Sequence, residues 1–599
     1  MALKIASLLV AACTSVAAHP GIATLLPAGR EDVGASPAVV ISFEQDATHR
    51  LVVRYQAPAD VGQLDFLLID DRMDSAFRTP FMKPANDCGT LVPRGIALRH
   101  GAGCEHGAVF VVEPRAMQLD AMNEPAQPSS DGGVLFYTGY YAAAAPGLPI
   151  RWRFTPAAGD YGIDDSRRHD AAWQVESAHV YEGAKTQGDQ RDDADWLASQ
   201  HALHYVFLGH TPMTMSGRVL WVRDPAVPQA IVDTVGHAGP IAWDAYARAT
   251  SRQPEGQTAI VVLGMPPGQF GYQGDRTEGQ MLRLSFAQSD NHDAATASKF
   301  IAHETAHLWN HGVFRSDMAR PWLHEGDAEW AALNATHDAG LLSDKAFVDA
   351  VQASVDSCLT VRGEHAAATL QTGWSREDDP YGCGVALQLL GFARVHAAHA
   401  DATPLAVWGA LHRAHPMLDA AGFAQFFDDG DAPTLGRLLT DDKTPFASSY
   451  RADLAAYLPL RDGLAEPAPG QGRRQVAFNL MSVIGHADCG KRLSFTLKTD
   501  GETGEFALDP AMACKTLPQG SHLTSVAGVP IIAQPRAAWR AVLQACTASG
   551  HFEAGFDGHA PVALACPASM PELPPQVQLP DDVLARLGLS IRAVAAASN

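Results

Sequence analysis

His303-Glu304-Thr305-Ala306-His307 is the stretch of this 599-residue chain that decides its fold and its chemistry. Two histidines four residues apart project from the same face of an α-helix, because a helix completes a turn in ~3.6 residues. Two neutral imidazoles at this spacing can hold one Zn²⁺ ion, and Glu304 points into the same space. The H-E-x-x-H pattern therefore predicts a helix that binds zinc, with Glu304 as a base that acts on water.

The residues around this motif predict two consecutive helices. Asp290, Asn291 and Asp293 are N-cap candidates for the helix with the zinc motif, since their side chains can accept hydrogen bonds from its first turn. Pro321 suits the first turn of a second helix, which contains the stretch Trp322-Leu323-His324-Glu325-Gly326-Asp327-Ala328.

The third zinc ligand is predicted to come from this second helix. A hydrolytic zinc site uses three protein ligands and leaves one position for water. Glu325 offers a carboxylate with seventeen residues between it and His307. Glu329, one helical turn further on, is the alternative ligand. We favour Glu325 because of its motif, and we predict that His303, His307 and Glu325 bind one Zn²⁺ ion.

These two blocks resemble the gluzincin zinc metallopeptidases, especially the aminopeptidase N and glycyl aminopeptidase families. Those enzymes carry H-E-x-x-H followed by Trp, and then W-L-x-E-G-x-A. Here His307-Leu308-Trp309-Asn310 and the Trp322 to Ala328 block match both patterns, with a spacing one residue shorter than the eighteen typical of aminopeptidase N. Such a deletion falls in the loop between the helices, where it is tolerated. The resemblance implies a thermolysin-like catalytic domain and hydrolysis of peptide bonds.

A third block, Tyr381-Gly382-Cys383-Gly384, resembles the Y-x-K-G segment that carries the catalytic tyrosine of these families. The resemblance implies that Tyr381 donates a hydrogen bond to the negatively charged oxygen of the reaction intermediate. Cys383 replaces the family lysine, and a disulfide to Cys358 would hold this segment beside the helical core. An ordinary half-buried tyrosine is the alternative.

One part of the aminopeptidase N pattern is missing. Members of that family carry G-x-M-E-N before the zinc helix, and its Glu binds the free α-amine of the substrate. The corresponding stretch, residues 271–279, contains glycines and Glu278 but not the motif. Glu278 is the candidate for the amine-binding role, with a solvated turn glutamate as the alternative. Exopeptidase and endopeptidase specificity therefore both stay open.

The N-terminus predicts export to the periplasm or the extracellular space. Residues 1–18 resemble a bacterial signal peptide, with Lys4 before an apolar run that ends in small residues. Simple cleavage is favoured over the alternative, a lipid anchor at Cys13. No later apolar run reaches the ~18 residues that a transmembrane helix needs.

Eight further cysteines agree with export. They form four couples of neighbours along the chain, and pairing within each couple is the simplest arrangement in an oxidising compartment, although sequence alone does not determine connectivity. The couples are Cys88/Cys104, Cys358/Cys383, Cys489/Cys514 and Cys546/Cys566.

The composition excludes one class of partner. A formal net charge of -22 repels nucleic-acid phosphates, so we expect no nucleic-acid partner. The peptide or protein substrate that we expect is implied by the resemblance to the gluzincins. A hydrophobic content of 47% with 18% charged residues is typical of a globular protein with a large core. These features do not determine the oligomeric state.

The distribution of strand-like, helix-like and turn-like stretches predicts a multidomain α+β protein. We expect an N-terminal β-rich domain over 19–190, a catalytic domain over 191–462 with a helical second half, a linker over 463–474, a β-rich accessory domain over 475–570 and a tail over 571–599. The pattern G-x-x-L-x-S-V-x-G-x-P-I at 520–531 resembles the second half of a PDZ domain, which the glycyl aminopeptidase family carries. An unrelated β-rich domain is the alternative.

The predicted function is an exported zinc metallopeptidase that hydrolyses peptide bonds with metal-activated water, with aminopeptidase-like action favoured. A zinc endopeptidase or another zinc hydrolase, for a different amide or an epoxide, is the first alternative. The second is a non-catalytic exported binding protein with a PDZ-like module. Glu304 argues against the second alternative, because a structural zinc site needs no base.

Overall fold

The structure is a computed structural model that describes residues 37–589 with several gaps. The predicted signal peptide, Cys13, Glu278 and the N-cap candidates Asp290 and Asn291 lie outside the described residues. The gaps are 47, 68–76, 116–123, 165–166, 181–203, 267–271, 277–279, 289–292, 364–378, 429–433, 442, 464–470, 491–494, 501–502, 509–513, 519, 569, 571–572 and 574–575.

The N-terminal part is built from β-strands. They are β1 Val39–Gln45, β2 Leu51–Gln56, β3 Gln63–Phe66, β4 Met82–Pro84, β5 Gly89–Val92, β6 Gly95–Leu98, β7 Ala108–Val112, β8 Ala126–Pro128, β9 Val134–Tyr137, β10 Ala143–Ala144, β11 Pro149–Thr155, β12 Tyr161–Asp164, β13 Arg167–His169, β14 Trp173–Val180 and β15 Tyr205–Gly209. β2 alternates buried and half-buried residues, as expected for a strand with one face in the core.

These strands form three sheets. Their orders are β14-β11-β1-β2-β7-β4, β10-β3-β6-β5 and β13-β12-β15-β9-β8. β15 follows the domain boundary predicted at residue 190, yet it pairs with both β9 and β12. The third sheet therefore continues past that boundary.

The central part begins with a mixed sheet of order β16-β17-β18-β20-β19. β17, β18 and β20 are parallel, and β16 and β19 are antiparallel strands at the two edges. Both faces of this sheet are buried, one against the N-terminal sheets and one against helices, which explains the continuous apolar run of β18. The strands are β16 Met213–Ser216, β17 Val219–Arg223, β18 Thr258–Gly264, β19 Tyr272–Arg276 and β20 Met281–Phe286.

The second half of the central part is helical, as the sequence predicts. Asp293 caps the zinc-motif helix by accepting a hydrogen bond from the backbone N–H of Thr296 at 3.1 Å, and Pro321 starts the next helix. The helices are α1 Gln229–Thr250, α2 Ala294–His307, α3 Pro321–Asp338, α4 Asp344–Arg362, α5 Pro380–Ala398, α6 Pro404–Ala414, α7 Ala420–Phe427, α8 Thr434–Thr440 and α9 Phe446–Ala455; the short strands are β21 Arg315–Ser316, β22 Met417–Leu418 and β23 Arg461–Gly463.

The helices α3 and α5 cross in direct backbone contact at Gly326 and Gly384. A Cβ atom on either glycine would overlap the Cα atom of the other, so this crossing requires glycine on both helices. The Cys358–Cys383 disulfide joins α4 to α5 beside the crossing. The contact places the first turn of α5 next to the middle of α3.

Four disulfides join the cysteines in the couples that the sequence predicts, so this prediction is confirmed. They are Cys88–Cys104, Cys358–Cys383, Cys489–Cys514 and Cys546–Cys566. Disulfides in this number are typical of proteins that fold in an oxidising compartment. Among the described residues, the helices are all too short or too polar to cross a bilayer.

The C-terminal unit is a β-sheet with two helices, and its PDZ-like identity stays a prediction. Helix α10 starts within the predicted linker, contributes apolar residues to the core of this unit and also packs against α4. Asn479 of α10 donates a hydrogen bond to Ser357 of α4 at 3.2 Å. The elements are α10 Gln471–Cys489, β24 Phe495–Asp500, β25 Thr503–Leu508, β26 His522–Val526, β27 Val529–Pro530, α11 Pro535–Ser549, β28 His551–Phe556 and β29 Val562–Ala565.

Residues 576–589 return to the central part. Strand β30 Gln576–Gln578 pairs antiparallel with β23, and helix α12 Val583–Arg586 follows. The backbone N–H of Leu579 donates to Gln352 Oε1 of α4 at 2.8 Å. The apolar side chains of this segment, Val577, Leu579, Val583, Leu587 and Leu589, are buried in the core of the central part. This portion of the predicted tail is therefore a packed element.

Replacing Gly326 with Ala is expected to destabilise the protein, because the new Cβ would push α5 away from α3. Overpacking of this kind typically lowers the free energy of unfolding by ~1–3 kcal/mol. Gly236→Ala in α1 is the matched control, since no atom lies within 4 Å of the added Cβ. Ala is favoured over Gly in a helix by ~0.8–1 kcal/mol, so this variant should be at least as stable as the parent. Urea unfolding monitored by circular dichroism measures both, and equal stabilities would contradict the close crossing.

Candidate active site

His303, His307 and Glu325 meet in the interior, where α2 packs against α3. Their ligand atoms all lie within 4.8 Å of one another, and the three residues are only 5%, 5% and 8% exposed. His303 Nε2 is 3.1 Å from His307 Nε2 and 3.2 Å from Glu325 Oε2. Two imidazole nitrogens and a carboxylate oxygen that converge on one point form a donor set typical of zinc. The structure thus brings together the three ligands that the sequence predicts.

The electrostatics of this cluster also fit a cation. Burial alone would lower the pKa of His303, but hydrogen bonds to Glu325 and Glu329 raise it to about 10. Burial alone would raise the pKa of Glu325, but the charge of His307 and hydrogen bonds to both histidines hold it well below its usual range. The carboxylates therefore favour positive charge at the centre of the cluster, and a divalent cation can supply that charge.

In both histidines, the Nδ1 atom faces away from the cluster and has a hydrogen-bond partner. His303 Nδ1 lies 3.1 Å from Glu329 Oε2, and Glu329 forms an ion pair with Lys299. His307 Nδ1 lies 3.2 Å from Asn310 Oδ1. Partners of this kind orient imidazole ligands towards a metal. Glu329 contacts the nitrogen that faces away from the cluster, so its place is behind His303.

Sequence reasoning missed Lys299 and Asn310. Lys299 precedes His303 by four residues and therefore shares its helix face, which is the signal that could have identified it. Asn310 ends the block His307-Leu308-Trp309-Asn310, which resembles the family pattern, but the resemblance assigns no function to this residue.

Glu304 lies on α2 beside the edge strand β19 and is buried, with 6% of its surface exposed. A Cβ atom on Gly274 of β19 would overlap the Glu304 carboxyl group, so glycine at this position lets the strand pass close to the carboxylate. Burial raises the pKa of Glu304 to about 7, although the charges of His303 and His307 oppose this shift. A carboxylate with a pKa near neutrality is well suited to accept and return a proton.

Tyr381 lies in the first turn of α5 and faces the same cluster. The residue is 45% exposed, its ring centroid lies 5.6 Å from that of His303, and its hydroxyl contacts Glu325. Desolvation and the charges of Glu325 and Glu304 raise the pKa of Tyr381 well above its usual value, so it remains a hydrogen-bond donor. Asp379 caps this helix by accepting from the Gly382 N–H at 3.0 Å.

The carboxylate for substrate-amine binding stays a prediction, because Glu278 lies outside the described residues. Asp275, on the described part of the same segment, is the carboxylate of β19. Its oxygens accept hydrogen bonds from Tyr205 at 2.7 Å and from Arg283 at 2.9 Å. Asp275 therefore connects β19 to the N-terminal sheet and to β20.

Comparisons with known proteins agree with this architecture. No family model and no curated protein matches the chain. A solved aminopeptidase N family protein from Idiomarina loihiensis has a TM-score of 0.55 at 11% identity, over 92% of this chain and 100% of that one. Two other solved structures are less similar. Aminopeptidase A from Legionella pneumophila has a TM-score of 0.37 at 10% identity, over 68% of this chain and 49% of that one. Leukotriene A4 hydrolase from Saccharomyces cerevisiae has a TM-score of 0.37 at 11% identity, over 76% of this chain and 79% of that one. The chain therefore shares the fold of the Idiomarina protein, and the resemblance read from the motifs is confirmed at the level of the fold.

Proposed function

We propose that this protein is an exported zinc metallopeptidase with aminopeptidase-like action. The observation that carries the proposal is the convergence of His303, His307 and Glu325 beside the buried base Glu304. The shared fold with an aminopeptidase N family protein supports peptide hydrolysis as the reaction. A structural zinc site would not need a buried carboxylate with a pKa near neutrality beside it, which argues against a binding protein.

Zinc held by His303, His307 and Glu325 would lower the pKa of water from near 15.7 towards ~7 and polarise the peptide carbonyl. Glu304, whose pKa is about 7, would accept a proton from the water as the water oxygen bonds to the carbonyl carbon, and would return it to the amine as the C–N bond breaks. The hydroxyl of Tyr381 donates a hydrogen bond to the carbonyl oxygen as that oxygen gains negative charge.

Strand β19 supports an extended peptide as the substrate. It is the last strand of its sheet, so its outer edge offers backbone groups to an added strand. Gly274 brings this strand against Glu304, so a peptide paired with β19 would pass close to the base. Recognition of a free α-amine separates aminopeptidase from endopeptidase action, and we assign that role to Glu278.

Digestion of a mixed peptide library, with products identified by mass, tests the proposal. We expect removal of single N-terminal residues, and we expect a chelator to abolish it. Internal cleavage would instead support the endopeptidase alternative. Glu304→Gln is the matched inactive control: it should keep zinc and lose ~10²–10⁴-fold in turnover, because it cannot accept a proton. Full turnover by Glu304→Gln would refute the proposed mechanism.

The third ligand is tested by comparing Glu325→Ala with Glu329→Ala. Glu325→Ala should purify without zinc, since one of three ligands is gone. Glu329→Ala should still bind zinc, with affinity reduced ~10–100-fold because His303 Nδ1 loses its hydrogen-bond partner. Competition with a fluorescent chelator measures both affinities. The opposite ranking would make Glu329 the ligand.

Tyr381→Phe is expected to lower kcat by ~10²–10³, because the developing oxyanion loses one donor. Zinc affinity and KM should stay near the parent values. Tyr450→Phe is the control, since its hydroxyl donates at 2.9 Å to the Ala386 carbonyl in the core. It should lower stability and leave kcat unchanged. Equal kcat for Tyr381→Phe and the parent would exclude Tyr381 from the reaction.

A further inference from the structure

Asn310 lies directly behind the ligand His307. It belongs to the π-helical turn Leu308–Val313 that follows α2, and it is completely buried. Its Oδ1 is 3.2 Å from His307 Nδ1. Its Nδ2 donates to the carbonyl oxygen of His324 at 2.8 Å and to Asp327 Oδ2 at 3.2 Å.

These contacts determine which way the Asn310 amide is turned. A backbone carbonyl and a carboxylate both accept hydrogen bonds, so the NH₂ group must face His324 and Asp327. The amide oxygen is then left to face His307, and it can only accept. His307 must therefore carry its hydrogen on Nδ1, which leaves the Nε2 lone pair directed at the zinc ligand cluster.

Asp327 is anchored by helices on the far side of the core. Its Oδ1 accepts from Gln388 of α5 and from Trp408 of α6, each at 2.9 Å, and its Oδ2 lies 3.0 Å from His412 Nε2 of α6. An indole N–H can only donate, so Asp327 Oδ1 must be an acceptor. With only 1% of its surface exposed, Asp327 has hydrogen-bond partners on both oxygens. The donors compensate the cost of burying its charge.

We propose that Asn310 and Asp327 are positioning residues for the zinc ligand His307. Asp327 sets the orientation of the Asn310 amide, and the amide sets the ring orientation and tautomer of His307. This inference rests on the zinc site proposed above and extends it to residues without a role in the motif. Through Asp327, α5 and α6 contribute to zinc affinity although neither of them supplies a ligand.

The two ligand histidines are thus supported in different ways. His303 contacts a carboxylate directly, since Glu329 lies against its Nδ1. His307 reaches its carboxylate, Asp327, through the amide of Asn310. The amide between ring and carboxylate faces His307 Nδ1 with its oxygen and restrains the rotation of the ring.

The test compares Asn310→Leu with Asn334→Leu in the full chain. Both side chains are buried, and Leu has nearly the shape of Asn. Asn334 donates at 2.7 Å to the Trp330 carbonyl, so this hydrogen bond stays within α3. Asn310→Leu should weaken zinc binding ~10–100-fold, measured by chelator competition, whereas Asn334→Leu should bind zinc like the parent. Thermal unfolding of the zinc-free proteins serves as the folding control.

Parent-like zinc affinity in Asn310→Leu would overturn the inference, as would equal losses in both variants. If Asn310→Leu does not fold, Asp327→Asn takes its place, because it exchanges a single oxygen for an NH₂ group that cannot accept. Parent-like affinity in that variant would also overturn the inference. A parent protein that binds zinc and cleaves peptides upholds the proposed function whatever these variants do.

Discussion

The burial of Glu325 against two histidines is the interaction on which the rest of the structure depends. Three ionisable groups in the core are costly unless their charges are balanced and their hydrogen bonds satisfied. The surrounding elements meet both conditions. Lys299 balances Glu329, Asn310 accepts from His307, and a cation between the ligands would balance Glu325. The contact between α2 and α3 therefore buries these ionisable groups together with apolar side chains of both helices.

Close backbone contacts complete the arrangement. The crossing at Gly326 and Gly384 brings α5 near enough to α3 for Tyr381 to reach Glu325, and Gly274 brings β19 against Glu304. Each glycine removes a side chain at the point where a functional group needs the space. Packing and chemistry therefore constrain the same positions, and substitutions there would affect both.

Part of this site could be predicted from the sequence because its signals are local. The spacing of His303 and His307 follows from one helical turn, and the block around Glu325 is contiguous. The Asp327 contacts are different, since its partners Gln388, Trp408 and His412 lie 61, 81 and 85 residues away. Neither hydrophobic periodicity nor a short motif predicts contacts between residues so far apart in the sequence. The pairing of β15 with β9 and β12 also joins distant parts of the chain. The predicted boundary at residue 190 therefore separates strands that belong to one sheet.

The C-terminal residues are a second case in which the sequence does not predict contacts between distant parts of the chain. The chain leaves the central part after β23, forms the sheet of the C-terminal unit, and returns as β30 and α12. The composition of residues 571–599 suggests a tail, because the segment is rich in proline and alanine and has only a few large apolar residues. Yet Leu579 and Leu587 fill the core of the central part, and α10 packs on α4. A boundary drawn at residue 570 would therefore cut through one hydrophobic core, and the C-terminal unit is an insertion into the central part.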